Sequence, residues 1–383
     1  MATRRTVLGV LGTGAVIVAA GAGLSQCDPM PAAAVEAWRG PAPTVRDPRA
    51  RALSYALLAP NPHNMQPWIV DLREPGVVTF LCDRSRLLPE TDPYSRQITI
   101  GCGAFLEVLR MAAAEQGLRT EISAFPNGDW PENTVGDQPV CRVVFVPDPG
   151  VGRDPLFAQV LKRRTNRNAY DAAPLPESAA VEIGAALSGL PVKFGSTGDA
   201  AQLARLRDVA KRAWVVEMTK DATYRESAKV FRITGEEIAR HRDGLSFHGP
   251  FFWWASAFGL FTQEGAMRGD AFIRQQSIDL IDGPLRGTPA CAWIVTASND
   301  RRAQLAAGEA YVRANLKATE LGLAMQPLSQ ALQEFPEMLP LRAEHKQLLG
   351  LPESDTVQMF FRIGRAAEVE PSPRRRLDDI IKA

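Results

Sequence analysis

An internal repeat constrains the fold of this chain more than any other feature. Residues 103–118 read GAFLEVLRMAAAEQGL and residues 308–323 read GEAYVRANLKATELGL, so the two segments lie 205 positions apart (308 minus 103). Both begin with Gly, continue as amphipathic helices and end in a Gly-Leu pair. Gly after a helix suits the left-handed cap position, where a Cβ costs free energy. We therefore expect two equivalent helices, each ending at its glycine.

Strand-like runs flank both helices. They are VVTFLCD at 77–83 and VCRVVFV at 140–146 in the first case, and CAWIVTASND at 291–300 and VQMFFRI at 357–363 in the second. Short runs rich in β-branched and aromatic residues are typical of strands. Two Ala-rich helices can match by chance, but matching strands on both sides favour a true duplication. We predict two related halves, residues 49–150 and 151–383, packed as an internal pseudo-dimer.

The N-terminus, residues 1–34, has the layout of an export signal. The paired Arg4 and Arg5 precede an apolar, uncharged run at residues 7–24. This resembles a twin-arginine signal, whose pathway carries folded proteins across the membrane. A Sec signal and an uncleaved membrane anchor are the alternatives. The sequence LSQC at 24–27 also loosely resembles a lipoprotein box. Cleavage could follow the Ala run that ends at Ala34. We expect an extracytoplasmic location, periplasmic or membrane-anchored, with the Pro- and Ala-rich residues 35–48 as a linker outside the fold.

Composition and missing motifs exclude several classes of protein. Lys plus Arg number 44 against 43 for Asp plus Glu, which argues against a general nucleic-acid binder. The five Cys and four His show no metal-ligand spacing, so we predict no metal site. The chain lacks GxGxxG, GxxxxGK[ST] and GxSxG motifs. With no catalytic side chain predicted, the chemistry would belong to a bound cofactor.

Two clusters of basic residues could bind a phosphate. KRRTNR at 162–167 places four cations around a Thr, and PSPRRRLDDII near the C-terminus carries Arg374 to Arg376. Guanidinium groups match phosphate oxygens in geometry and charge. Either cluster could equally be a solvated helix end or tail. Their presence in the same half raises the prospect that they meet at one phosphate.

Two loops could complete such a site. In APNPHNMQPW, at 59–68, prolines stiffen the loop, Asn64 and Gln66 alternate with apolar neighbours so that both amides could face one side, and Trp68 would anchor the base in the core. His63 fits a structural role more often than a catalytic one. LGLAMQPLSQ at 321–330 follows the second repeat helix. It could present backbone N–H groups or be an ordinary connection.

Four motifs together resemble the FMN-dependent nitroreductase superfamily. They are APNPHNMQPW, KRRTNRNAYDAAPLP, LGLAMQPLSQ and GRAAEVEPSPRRRLDDII, and they span residues 59–381. Ordinary members are homodimers with FMN at the interface, and their Arg-rich segment precedes the QPW loop. Here it follows that loop, in the other half, which resembles the Acg-type branch of single-chain pseudo-dimers. The resemblance implies an α+β nitroreductase-like fold, with mixed β-sheets flanked by helices and duplicated internally, and a monomer.

The resemblance also implies a set of cofactor contacts. Arg163, Thr165 and Arg167 would hold the FMN phosphate, and Arg374 and Arg375 would close over it. The remaining contacts would come from the two loops: the amides of Asn64 and Gln66 on the ribityl chain or flavin edge, Asn61 and His63 shaping the turn, and the backbone of Leu328, Ser329 and Gln330 near the flavin ring. The chain departs from the family pattern at Asn61-Pro62, which removes a hydroxyl contact, and at Gln330, where the family has Gly.

Two functions follow from this resemblance. One is an FMN-dependent oxidoreductase that passes a hydride or two electrons through flavin N5 to a nitroaromatic or quinone. NAD(P)H is one candidate donor, although it is scarce outside the cytoplasm. The other is FMN storage or sequestration without turnover, favoured by Gln330 and by the aromatic run FHGPFFWWASAFGLF at 247–261. That run has no counterpart in the family motifs and could be a lid over the site or a buried helix.

Overall fold

Two antiparallel sheets of four strands form the framework of the computed structural model, which describes residues 28–382. The first contains β1 Trp68–Asp71, β2 Val77–Cys82, β3 Leu118–Ala124 and β4 Cys141–Pro147. The second contains β5 Lys193–Thr197, β8 Ala290–Thr296, β9 Ala324–Pro327 and β10 Thr356–Gly364. A short parallel ribbon joins β6 Phe231–Ile233 to β7 Leu245–Phe247. The paired arginines and apolar run of the predicted signal lie outside the described residues.

Twelve α-helices in the described chain surround these sheets, and four of them begin directly after an Asp whose carboxylate accepts a backbone N–H of the first turn. The helices are α1 Pro48–Ala56, α2 Arg96–Ala114, α3 Glu177–Ala185, α4 Ala200–Thr219, α5 Asp221–Lys229, α6 Gly235–His241, α7 Pro250–Ala257, α8 Gln263–Arg268, α9 Ala271–Asp279, α10 Asp282–Arg286, α11 Arg301–Glu320 and α12 Leu339–Leu348. Of these, α2 is long and apolar enough to cross a membrane, but it is mostly buried in the core.

The two sheets share one topology. Each half supplies two strands, a long helix (α2 or α11) and two more strands, and in each sheet the spatial order is first, second, fourth, third. The predicted strands on both sides of each repeat helix are confirmed, as is the duplicated α+β architecture. Parallel pairing enters the first sheet where Ile381 bridges Val70. The tail of the second half therefore extends the sheet of the first.

The two repeat helices pack against each other at their glycines. A Cβ on Gly103 would overlap the carbonyl of Leu305, and a Cβ on Gly308 would overlap the carbonyl of Ile100. Both pairs are related by the same offset of 205 (308 minus 103, 305 minus 100). Reciprocal contacts of this kind define a two-fold, isologous interface. The helices thus meet as the corresponding elements of a symmetric dimer would, within one chain.

The segment predicted as a linker is part of the fold. Ala34 and Trp38 are buried. The Ala34 carbonyl accepts the backbone N–H of Arg374 at 2.8 Å, and the Trp38 indole donates to the carbonyl of Ser372 at 2.8 Å. The prediction that residues 35–48 lie outside the fold is wrong, because the tail of the second half covers them.

Candidate cofactor site

The QPW loop has a constrained backbone. His63, Asn64 and Gln66 all have positive φ, at 48°, 54° and 49°. Non-glycine residues rarely adopt this region, and such strain persists only when neighbouring groups hold it. Here Asn61 holds it, since its Oδ1 accepts the N–H of Gln66 at 2.8 Å. Trp68 is fully buried and packs on Phe105 at 4.8 Å between ring centroids, which confirms its predicted place in the core.

The two amides of the loop bind protein rather than facing a common open side. Gln66 is completely buried: its Nε2 donates to the carbonyls of Asn64 and Arg242, and its Oε1 accepts the N–H of Arg375. Asn64 donates to the Pro373 carbonyl at 3.1 Å and accepts from Arg374 at 2.5 Å. The hydrogen bonds of Gln66 fasten the loop to the C-terminal tail, and its contact with a cofactor stays a prediction.

Arginines from both basic segments converge on one aromatic ring. The guanidinium carbons of Arg163, Arg164 and Arg374 lie 5.5, 4.2 and 5.1 Å from the ring centroid of Trp38. Arg163 and Arg374 also both donate to the carbonyl of Leu58, just before the QPW loop. The structure thus brings together two segments separated by about two hundred residues in the chain.

We call Arg163, Arg167 and Arg374 the arginine cluster, and its charge is uncompensated. Burial, together with the charge of Arg164, lowers the pKa of Arg163 to about 10. Burial and the charges of Arg163 and Arg164 lower the pKa of Arg374 well below its usual range. No carboxylate in the described chain is among the charges acting on these three groups. Arg163 Nη1 and Arg374 Nε are also buried without hydrogen-bond partners among the described residues. An anion would neutralise the cluster and satisfy both donors.

Arg167 is the open member of the cluster. It retains surface exposed to solvent, yet its surroundings are close enough that burial lowers its pKa. Its charge in turn helps to lower the pKa of His63, which burial brings to about 4. Arg167 is therefore the member of the cluster that solvent reaches. Thr165 lies half-buried on the same segment.

The other predicted contacts are arranged differently. Arg375 donates to the carbonyls of Gln66, Trp68 and Asp379, so it supports the loop, and its contact with a phosphate stays a prediction. The N–H of Leu328 donates to Phe360 and continues the second sheet. Ser329 and Gln330 lie half-buried at the start of a 3₁₀ turn, where the first N–H groups of a helix are unpaired. Of this loop, these two positions can still present backbone donors.

A buried carboxylate, which the sequence did not indicate, lies beside this loop. Glu217 of α4 accepts from Gln333 at 2.8 Å and from Ser227 at 3.4 Å, and the side chain of Gln330 lies close enough to help lower its pKa. The Ser227 hydroxyl is within 3.1 Å of His63 Nε2. Burial raises the pKa of Glu217 to about 7 against these hydrogen bonds. We call Glu217, Ser227, His63, Gln330 and Gln333 the glutamate network. Since His63 is neutral at pH 7, a hydrogen bond rather than an ion pair connects it to the network.

The chain is similar over most of its length to two proteins of Mycobacterium tuberculosis. No protein-family model matches the chain. The Mycobacterium tuberculosis (strain H37Rv) protein Rv3131, which carries the name NAD(P)H nitroreductase, is 28% identical over 345 residues, covering 86% of this chain and 90% of the relative. The acg protein of the same strain, also named an NAD(P)H nitroreductase, is 28% identical over 351 residues, covering 86% and 93%. These relatives support the membership of the nitroreductase superfamily that the motifs indicate.

Similarity to solved structures is more distant. The FMN-dependent nitroreductase NfnB from Mycobacterium smegmatis, in complex with NADPH, is 18% identical and aligns over 58% of this chain and 94% of its own, with a TM-score of 0.36. Iodotyrosine deiodinase bound to FMN and 3-iodo-L-tyrosine is 14% identical, with coverage of 58% and 95% and a TM-score of 0.36.

Proposed function

We propose that this protein is an FMN-dependent oxidoreductase of the nitroreductase type, which reduces a nitroaromatic or quinone by transfer of a hydride or two electrons. The observation that carries the proposal is the arginine cluster. Two buried guanidinium groups, those of Arg163 and Arg374, are costly in an empty protein when no carboxylate neutralises them, and a phosphate offsets that cost. The motifs favour FMN as the molecule that carries this phosphate, and the names of the two mycobacterial relatives favour a nitroreductase activity.

The side chains present fit the phosphate of FMN. Arg163 Nη1 and Arg374 Nε are the buried donors that lack partners among the described residues, and Arg167 is exposed. Trp38 would support the guanidinium planes from beneath through cation–π contacts. Bound FMN would supply two-electron transfer chemistry, which explains why no catalytic dyad is needed.

The chain's own contribution is to bind and orient the cofactor and to keep water away. The QPW loop would border one side of the flavin and the 3₁₀ turn at Ser329 and Gln330 the other. Gln330 lies beside Glu217 and helps to lower its pKa, so its side chain would face the glutamate network rather than the space over a flavin. This arrangement favours turnover over storage.

Three further features belong to the proposal. NAD(P)H is the proposed donor, in line with the names of the relatives. The protein would act as a monomer of the Acg-type branch, because the helix contact at Gly103 and Gly308 already occupies the place of a dimer interface. A twin-arginine signal at Arg4 and Arg5 would export the folded, loaded protein.

The test is anaerobic reduction of the purified protein. The protein should be yellow with FMN bound, NAD(P)H should bleach the flavin absorbance, and addition of a nitroaromatic or quinone should restore it. Bleaching by dithionite alone, with no turnover by NAD(P)H, would instead support FMN storage. A colourless protein that takes up no FMN on titration would contradict both functions.

A further inference from the structure

An exposed aromatic surface stands apart from the cofactor site. Helix α7 and the residue after it expose Phe251, Trp253, Trp254 and Phe258, which we call the aromatic patch. Their exposed fractions are 38%, 39%, 42% and 70%. Trp254 stacks on Phe258 with centroids 5.7 Å apart and meets Trp253 edge-on at 4.7 Å. Contiguous exposed aromatic rings mark an interaction surface rather than ordinary surface variation.

The patch stands on a packed base. Phe252 points to the opposite side of the helix and contacts Phe247 at 5.2 Å and Phe261 at 5.5 Å, and Ala255 is buried. These rings belong to the core cluster that includes β6 and α5. The helix is therefore fixed with its aromatic side chains outward. This answers the two alternatives left by the sequence: α7 is not a buried helix, and its packing does not suit a swinging lid.

The chemistry of the patch matches the interface of a lipid bilayer. Residues 244–263 contain no Asp, Glu, Lys or Arg. Tryptophan concentrates at membrane interfaces because its ring is apolar while its N–H bonds to water and headgroups. An eight-residue helix is too short to cross a bilayer but long enough to lie along its surface.

The N-terminal segment emerges beside the patch. The Asp28 carboxylate accepts the N–H of Gly235 at 2.5 Å, and its carbonyl accepts the N–H of Gly249 at 3.0 Å. Gly249 immediately precedes α7. The uncharged apolar run at residues 7–24 therefore joins the folded chain within a few residues of the aromatic side chains. If that run is inserted in a membrane, the start of α7 is held close to the membrane surface.

The same contacts argue that this segment stays attached. Ala34, the end of the run after which cleavage was expected, is buried and hydrogen-bonded to Arg374. Cleavage there would have to act on a folded protein and would remove the hydrogen bonds of Asp28. An uncleaved segment is thus more consistent with the structure than a signal removed at Ala34.

We propose that residues 7–24 anchor the protein to a lipid bilayer and that the aromatic patch lies in the headgroup region beside this anchor. The proposal rests on the export proposed above and is independent of the bound cofactor. The catalytic domain would then be held in one orientation, with α7 facing the lipid. Trp253 and Trp254 would be within reach of lipid acyl chains.

Tryptophan quenching by brominated lipid tests this orientation. The full-length chain is reconstituted into phosphatidylcholine–phosphatidylglycerol vesicles in which the phosphatidylcholine carries bromine near the headgroup end of its acyl chains. We expect emission to be quenched relative to unbrominated vesicles, and the quenching to be largely lost in the W253F/W254F variant, which keeps the patch apolar. Adding V181W to that variant is the control: Val181 is exposed on α3, which packs on a different core cluster, and its tryptophan should stay unquenched.

Three outcomes would overturn the proposal. One is equal emission in both kinds of vesicle. Another is equal quenching of the native chain and W253F/W254F. The third is a dimer in lipid-free detergent solution that W254S/F258S dissociates, which would assign the patch to a second copy of the chain. FMN content and NAD(P)H oxidation measured on the same preparations separate a failure of this proposal from a failure of the proposed function.

Discussion

Replacing Arg163 by Met should weaken FMN binding without destabilising the empty protein. Arg163 Nη1 is buried without a partner and is available to a phosphate. A hydrogen bond between charged groups is worth about 1.5–3 kcal/mol, so the Kd for FMN should rise roughly 10- to 150-fold. The free energy of unfolding of the empty protein, by contrast, should not fall. Burial lowers the pKa of Arg163 from 12.5 to about 10, which corresponds to a cost of about 3 kcal/mol for keeping the charge inside.

This cost disappears in Arg163→Met, while one hydrogen bond to the Leu58 carbonyl is lost, at about 1–3 kcal/mol. The free energy of unfolding of the apoprotein should therefore stay level or rise. Fluorescence titration of apoprotein with FMN gives the Kd, and urea denaturation with and without FMN gives the stability.

Arg164→Met is the matched control for this variant. Arg164 stacks on the same Trp38 ring, but its guanidinium donates to the carbonyls of Leu161 and Arg163 and it is only half-buried. Its loss should change the Kd by less than about fivefold, because exposed charges contribute about 1 kcal/mol or less. An unchanged Kd in Arg163→Met together with a less stable apoprotein would refute the reasoning and make Arg163 a structural residue.

Three other predictions concern stability and cofactor retention. The pKa of Glu217 is raised from 4.5 to about 7, so its protonated form stabilises the fold fully below pH 4.5, and this contribution is lost as pH rises through 7. In Glu217→Gln, the free energy of unfolding from urea denaturation should decline less between pH 5 and 8. An unchanged decline would contradict the raised pKa. Gly103→Ala and Gly308→Ala should each lower the free energy of unfolding by about 1–3 kcal/mol, and by similar amounts. Gly283→Ala is the control and should not lower it, because the space around its Cβ position is open. Unequal losses at Gly103 and Gly308 would argue against the two-fold symmetry. Trp38→Ala should lower FMN affinity by about 0.5–2 kcal/mol through lost cation–π contact, and unchanged retention after dialysis would show that the ring does not support the cluster.

The duplication could be predicted because both of its signals are local. The glycine after each repeat helix is visible in the sequence and has positive φ, at 70° for Gly117 and 67° for Gly322. The predicted starts at Gly103 and Gly308 are wrong, because the helices begin seven residues earlier, at Arg96 and Arg301. The flanking strands follow from short apolar runs. The strand order within each sheet did not follow, because it depends on which edges meet in three dimensions.

The site was predicted only in part, for reasons that can be traced to particular residues. The alternation argument for Asn64 and Gln66 assumed an extended backbone, and their positive φ values break that period. Trp38 was missed because its Pro- and Ala-rich surroundings resemble a linker, and its partners lie in distant segments. Glu217 sits in an ordinary helical sequence, and its raised pKa comes from burial, which only the folded structure supplies.

The contacts of Trp38 with both basic segments determine when the arginine cluster can form relative to chain synthesis. Its guanidinium partners lie at Arg163 and Arg374, so the ring and its most distant partner are separated by 336 residues of chain (374 minus 38). A nascent chain that has not yet been synthesised as far as Arg374 cannot form the cluster, however well its first sheet has folded. If FMN binds the cluster as proposed, it would find all of its arginine ligands only after chain synthesis, and retained flavin would indicate that the two ends of the molecule are in contact.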